Sequence, residues 1–168
     1  LAAVYRNQAF LELAELALES IGRDEARLRC DVRLRQADCL DTLGRRTQQQ
    51  EAVEDALAAA VAGADPAREA HALFARGRLH VLRSEYEAAR EAFNQAEGRA
   101  HEASDREAEI MAIQGLAQVA DGCLQMYGGM GFMNEMTISR AFRDSKLIGI
   151  GGGANEVMSE VVAKLVGL

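Results

Sequence analysis

Gln125, Gly128, Gly129 and Gly131 fall within seven residues, in the stretch QMYGGMGFMNE that ends at Glu135. Glycines at this density let a backbone adopt positive φ and let another molecule approach the main chain closely. Such a stretch can serve as a nucleotide site, a catalytic loop or a structural remnant. Met126, Met130, Met133 and Met136 are interleaved with the glycines. A methionine stripe is ordinarily core, because the flexible thioether fills irregular gaps, so packing is the expectation for Met126, Met130 and Met133. A second glycine-rich stretch, GIGGGAN at 149–155, precedes a last helical pattern near 154–166. It is not a dinucleotide fingerprint, because no β-strand precedes it in a βαβ setting.

Other chemistry is poorly served. Cys30, Cys39 and Cys123 are odd in number and widely spaced without a CxxC pair. They read as small buried apolar residues in a reducing cytoplasm, neither a metal site nor a disulfide framework. His71, His80 and His101 fall on separate helices without HxxxH or HExxH spacing, so no metal ligand set is expected. No motif supports a Ser–His–Asp arrangement. The net charge of -7 lacks the basic face that a nucleic-acid backbone needs. No apolar run approaches the ~20 residues of a membrane span. The chain opens on Leu1 rather than Met, and the sequence reads as a fragment of something longer.

The elements that position the glycines are helical. Ala, Leu, Glu and Arg dominate, with a single Pro and no Trp, so the chain is expected to be all-α. Composition breaks near residue 120. Lys146 and Lys164, the only lysines, lie beyond it, as do five of the six Met and nine of the fifteen Gly. Spacing predicts helices over 2–20, 24–43, 46–62, 66–82, 85–102 and 105–127, then a short one near 136–146 and the last near 154–166. Asp65–Pro66 is an N-cap followed by a first-turn proline. Ser84 with Glu87 and Ser104 with Glu107 have capping-box spacing, and Gly44 and Gly63 suit helix C-caps.

Within the first segment, Gly77, Tyr86, Ala89, Phe93 and Ala96 resemble a tetratricopeptide repeat. Gly77 and Ala89 would allow two helices to touch, and Phe93 would fill the space against the next hairpin. Ala52 and Ala59 lie 37 residues before Ala89 and Ala96, and Gly115 follows Gly77 by 38. These offsets exceed the ~34 residues of the standard repeat. The resemblance implies stacked antiparallel hairpins over 1–118 and a groove for a protein or peptide. Arg76, Arg78, Arg83 and Arg90 could line that groove for an acidic peptide, or simply form a solvated face.

Residues 119–168 resemble the C-terminal end of the acyl-CoA dehydrogenase family of FAD-dependent flavoenzymes. The family pattern Q-x-x-G-G-x-G-[YF]-x-x-E is matched by Gln125, Gly128, Gly129, Gly131, Phe132 and Glu135. R-x-x-R-D is matched by Arg140, Arg143 and Asp144, and I-x-x-G-[TA]-x-E-[IV] by Ile150, Gly153, Ala154, Glu156 and Val157. The resemblance implies that Gln125, Gly128 and Gly129 touch the adenine-diphosphate end of an FAD held mainly by a neighbouring subunit. It implies that Gly153, Ala154 and Glu156 open the last helix beside the flavin, where backbone N–H groups favour an anion. Arg143 and Asp144 are expected to form an ion pair that orients the loop.

Two departures limit the carry-over. Gly152 stands where some members carry the catalytic Glu, and Ala154 replaces the usual Thr. No catalytic residue is assigned, and Glu156 is not taken as the base. The flavin-covering β-domain of full members has no counterpart here. Two readings follow. One is a non-catalytic interaction scaffold of helical repeats carrying a dehydrogenase-like tail, a natural fusion or a chimera. The other is part of an FAD-dependent acyl-CoA dehydrogenase, a homo-oligomer included, whose flavin site needs other segments or subunits. Flavin binding separates them.

Overall fold

The computed structural model describes residues 2–22 and 25–148, and every element among them is helical. The helices are α1 (Ala2–Ser20), α2 (Ala26–Thr42), α3 (Arg46–Ala62), α4 (Pro66–Leu82), α5 (Tyr86–Ala103) and α6 (Arg106–Tyr127). A 3-10 turn (Gly128–Phe132) and α7 (Thr137–Ile148) follow. All seven lie within a few residues of the positions expected from spacing. The predicted helix near 154–166 lies outside the described residues. The chain divides into two compact units, Leu1–Gly115 and Leu116–Leu168.

In the first unit α1 to α5 pack each on the next, and α2 also packs on α4. Ala108 and Ala112 of α6 join α4 and α5 in two small clusters with Ala70 and Ala100, and with Leu73 and Ala96. This is a stack of antiparallel hairpins. Its contact surfaces are alanine-rich, because small side chains let the helix backbones approach. Phe93 is the large exception, wholly buried and tilted against Phe74 at 5.6 Å. A Cβ built on Gly77 would lie 2.5 Å from the Phe93 ring, and one on Gly115 closer still. Two helices therefore keep glycine where they meet one aromatic edge.

One turn recurs every twenty residues. Gly44, Ala64, Ser84 and Ser104 all have positive φ. At each, the following N–H donates to the carbonyl five residues back: Arg45 to Leu40, Asp65 to Ala60, Glu85 to His80 and Asp105 to Ala100. The positive-φ residue itself donates three residues back, which completes the Schellman motif and satisfies two orphan carbonyls per helix end. Only Gly44 supplies the residue type that prefers this conformation. Ser84 and Ser104 are thus C-terminal turn residues, which corrects the capping-box expectation. The N-caps are Glu85 and Asp105, and the Asp105 carboxylate accepts from Ala108 N–H at 3.0 Å. Asp65 caps α4 as expected, accepting from Arg68 N–H at 3.2 Å.

Candidate functional site

The candidate site begins where α6 stops. Gly128, at φ +57, takes a left-handed conformation that a side chain would resist, so the helix ends at Tyr127. The 3-10 turn then folds back on the last turn of α6. A Cβ on Gly131 would lie 2.8 Å from the Leu124 carbonyl oxygen and 2.9 Å from Tyr127 Cβ. Gly131 is buried, and only glycine fits there. Gly129 is different, since nothing lies within 4 Å of the place its Cβ would occupy. Gln125, Gly128 and Gly129 are all exposed, and the first two lie one helical turn apart. These three residues come together as an open backbone corner beside one amide side chain. Gly153, Ala154 and Glu156 lie outside the described residues.

The loop is tied to α7. Met136 N–H donates to Met133 O at 3.1 Å, and the Arg143 guanidinium donates to Asn134 Oδ1. Arg143 makes no ion pair with Asp144 among the described residues, which corrects that expectation. Adjacent residues on a helix point in different directions, so the two side chains do not face each other. Asn134 is the residue that sequence reasoning missed. Its only signal was the polar side chain at the loop end, nine residues before Arg143.

The methionine expectation also fails. Met126 is 73% exposed, Met130 61% and Met133 51%, and Phe132 is exposed beside them. Basic groups concentrate on α7, where Arg140, Arg143 and Lys146 stand against Asp144 alone. Lys146 lies 5.1 Å from the Phe142 ring centre.

The remaining titratable groups hold the hairpins. His71 lies 3.3 Å from Asp105, His80 2.6 Å from Glu85, and His101 3.3 Å from Glu109. The carboxyl of Asp105 sits below the usual range, chiefly because Ala108 N–H donates to it, with help from His71. Burial pushes the Cys30 thiol up to about 11, which makes it an inert packing residue. Of the arginines considered for a groove, Arg76 pairs with Glu54, Arg78 with Asp38 and Asp41, and Arg90 with Glu87, while Arg83 donates to Gln50. Among the described residues no group of three His, Cys, Asp or Glu could hold a metal, and no helix is long and apolar enough to cross a membrane.

Residues 15–167 match the family model of the acyl-CoA dehydrogenase C-terminal domain, and the chain belongs to that family. The match runs from within α1 through the composition break. Curated relatives align over shorter stretches. The long-chain specific acyl-CoA dehydrogenase of Sus scrofa mitochondria is 46% identical over 46 residues, 27% of this chain and 11% of the relative. The very long-chain specific enzyme of Mus musculus is 40% identical over 55 residues, 33% of this chain and 8% of the relative. Cyclohexane-1-carbonyl-CoA dehydrogenase of Geobacter metallireducens is 34% identical over 56 residues, 33% of this chain and 15% of the relative. The chain thus spans about a tenth of the length of the relatives it matches. No solved structure matches it.

Proposed function

We propose that this chain is the C-terminal helical part of an acyl-CoA dehydrogenase-type flavoprotein, and that it supplies one wall of an FAD site completed by other segments or subunits. The observation that carries this reading is the open backbone corner at Gly128–Gly129, inside the stretch matched by the family. Gln125 would hydrogen-bond the adenine-diphosphate end of the cofactor, and the backbone at Gly128 and Gly129 would lie against it. The positive side chains of α7 favour an anion nearby. Such a corner would suit the nucleotide end of FAD, with the flavin ring enclosed by other segments. FAD, when bound, would accept the hydride in oxidation of an acyl thioester at its α,β-bond. Proton removal from the thioester would fall to a base outside this chain, since Gly152 stands where some members place it. The chain is then not catalytic alone. Buried thiols at Cys30 and Cys39 suit a reducing compartment, the cytoplasm included.

The test is a flavin fluorescence titration of the purified chain with FAD, using FMN as control. Saturable FAD binding, weak FMN binding and loss of affinity in Gln125→Ala and Gly129→Ala are expected. Gly129→Ala is a clean probe, because among the described residues the added methyl meets nothing within 4 Å beyond its chain neighbours. Absence of saturable binding at tens of micromolar FAD (about 6 kcal/mol of affinity) would overturn FAD binding by this chain.

A second reading has its own support. The turn that recurs every twenty residues stacks hairpins as a tetratricopeptide-like scaffold would, and such stacks hold peptides. A groove across α3, α4 and α5, lined by Leu57, Val61, Leu73, Arg76 and Arg99, is where a peptide would lie. Its arginines already face carboxylates of the chain, so an acidic peptide would have to displace them.

A further inference from the structure

Glycines make the stretch after α6 costly to hold in one shape, because Gly128, Gly129 and Gly131 lose more backbone freedom on ordering than other residues do. On the α6 side the turn is fixed by the close approach of Gly131 to Leu124 O and Tyr127. Beyond it, Met133 N–H donates to Met130 O and Met136 N–H to Met133 O, both at 3.1 Å. Asn134 falls between these two turns. Its Oδ1 accepts from the Arg143 guanidinium in the second turn of α7. Among the described residues this is the one side-chain hydrogen bond from the loop to α7.

The acceptor is a neutral amide, and that residue type has two consequences. Arg33, Arg68 and Arg78 join helices of the hairpin stack, and each ends on carboxylates that cancel its charge. Arg143 ends on Asn134, so the bond ties the loop and leaves the guanidinium positive. With Arg140 and Lys146 on the same helix, α7 stays positive despite Asp144. Asn134 and Arg143 are both exposed, and an exposed bond adds little to the stability of the whole chain. Its effect is local to the loop.

We propose that Asn134 is a positioning residue for the nucleotide end of the flavin, which rests on the flavin reading above. It fixes the loop that carries Gly128 and Gly129, and as a neutral acceptor it keeps the Arg143 charge available to the diphosphate. Asn134 itself touches no ligand. Asn134→Asp would hold the loop and cancel the charge, whereas Asn134→Ala would keep the charge and release the loop. The two substitutions therefore separate the two effects.

Amide exchange at Met133 and Met136, followed by NMR on the purified chain, reads the loop, and FAD titration at low salt reads the site. Asn134→Ala should raise exchange at both amides about three- to tenfold and weaken FAD binding by a similar factor. Asn134→Asp should leave exchange at the native rate yet still weaken FAD binding, with the gap to the native chain closing as salt screens the charge. Helical content and the urea midpoint should not move in either variant. Native exchange rates in Asn134→Ala would overturn the proposal, whatever FAD does. So would native FAD affinity in Asn134→Asp at low salt. If the native chain binds no FAD, the flavin reading fails and the diphosphate role falls with it, while the exchange rates still decide whether Asn134 holds the loop.

Discussion

Three helical glycines offer one substitution with opposite expected signs. Gly98 lies within α5, exposed, with nothing within 4 Å of a built Cβ. Gly98→Ala should stabilise by about 1 kcal/mol, the ordinary propensity gain of alanine over glycine in a helix. Gly77 and Gly115 would earn the same gain, but a Cβ on either would meet the Phe93 ring, 2.5 Å away for Gly77. The ring is wholly buried, so it can retreat only by shifting other core groups. Overpacking of that kind costs about 1–3 kcal/mol or more. Net effects for Gly77→Ala and Gly115→Ala should therefore run from near zero to a loss of ~2 kcal/mol, well separated from the Gly98→Ala gain. Urea unfolding followed by circular dichroism measures all three, with unchanged m-values as the check on two-state behaviour. Combining Gly77→Ala with Phe93→Leu should cost less than the two changes added separately, with coupling of about 1 kcal/mol or more. If Gly77→Ala and Gly115→Ala stabilise as much as Gly98→Ala, the ring does not hold these helices to glycine and the reasoning fails.

The recurring turn should respond to its own residue type. Ala64 sits at φ +47, so Ala64→Gly should raise stability by about 0.5–1 kcal/mol, read by the same urea titration. Acid should unfold the hairpin stack through its caps. Burial alone would raise the Asp65 carboxyl, but the Arg68 N–H, the Arg68 guanidinium and Arg27 together hold it below the ordinary carboxylate value. The folded state therefore favours the ionised form. The stability it contributes is fully present above the unfolded value near 3.9, and is lost as pH falls through the lower folded value. Thermal melts of Asp65→Asn should lose less stability than the native chain on acidification below pH ~4, and parallel curves would refute that role for Asp65.

Helix positions were legible because helical spacing, Asp65–Pro66 and the small residues at Gly77 and Ala89 all agree with the same stack. The serine turns were not, and the reason is physical. A link of two or three residues puts a C-terminal turn residue next to an N-cap, and serine suits the second place by propensity. Schellman closure at His80–Glu85 and Ala100–Asp105 moved Ser84 and Ser104 to the first. At the candidate site, the glycine pattern located the end of α6 and the open corner at Gly129. The exposure of Met126, Met130 and Met133 was not legible, because burial depends on what packs opposite and periodicity does not carry that. Arg143 was expected beside its sequence neighbour Asp144, while the structure takes it across the loop to Asn134.

The absence of lysine before residue 120 has a counterpart in the packing. Arg68, in the first turn of α4, donates from Nε and Nη2 to the two oxygens of Asp31 on α2, at 2.9 and 2.8 Å. Its third nitrogen reaches Asp65, the cap of its own helix, at 2.9 Å, and Arg27 of α2 lies 3.2 Å from the same carboxylate. One side chain thus joins two helices and a helix end. Arg78 repeats the span further along, reaching Asp41 at 2.9 Å, and both pairs are 37 residues apart. A lysine offers one point charge and could satisfy only part of this geometry, whereas the planar guanidinium presents five donors in a fixed fork. Exposed ion pairs of this kind add little stability singly. Their weight lies in register: α2 and α4 run parallel with few large apolar side chains between them, and alanine surfaces slide more readily than interlocked ones. The arginine forks fix which turn of α2 meets which turn of α4.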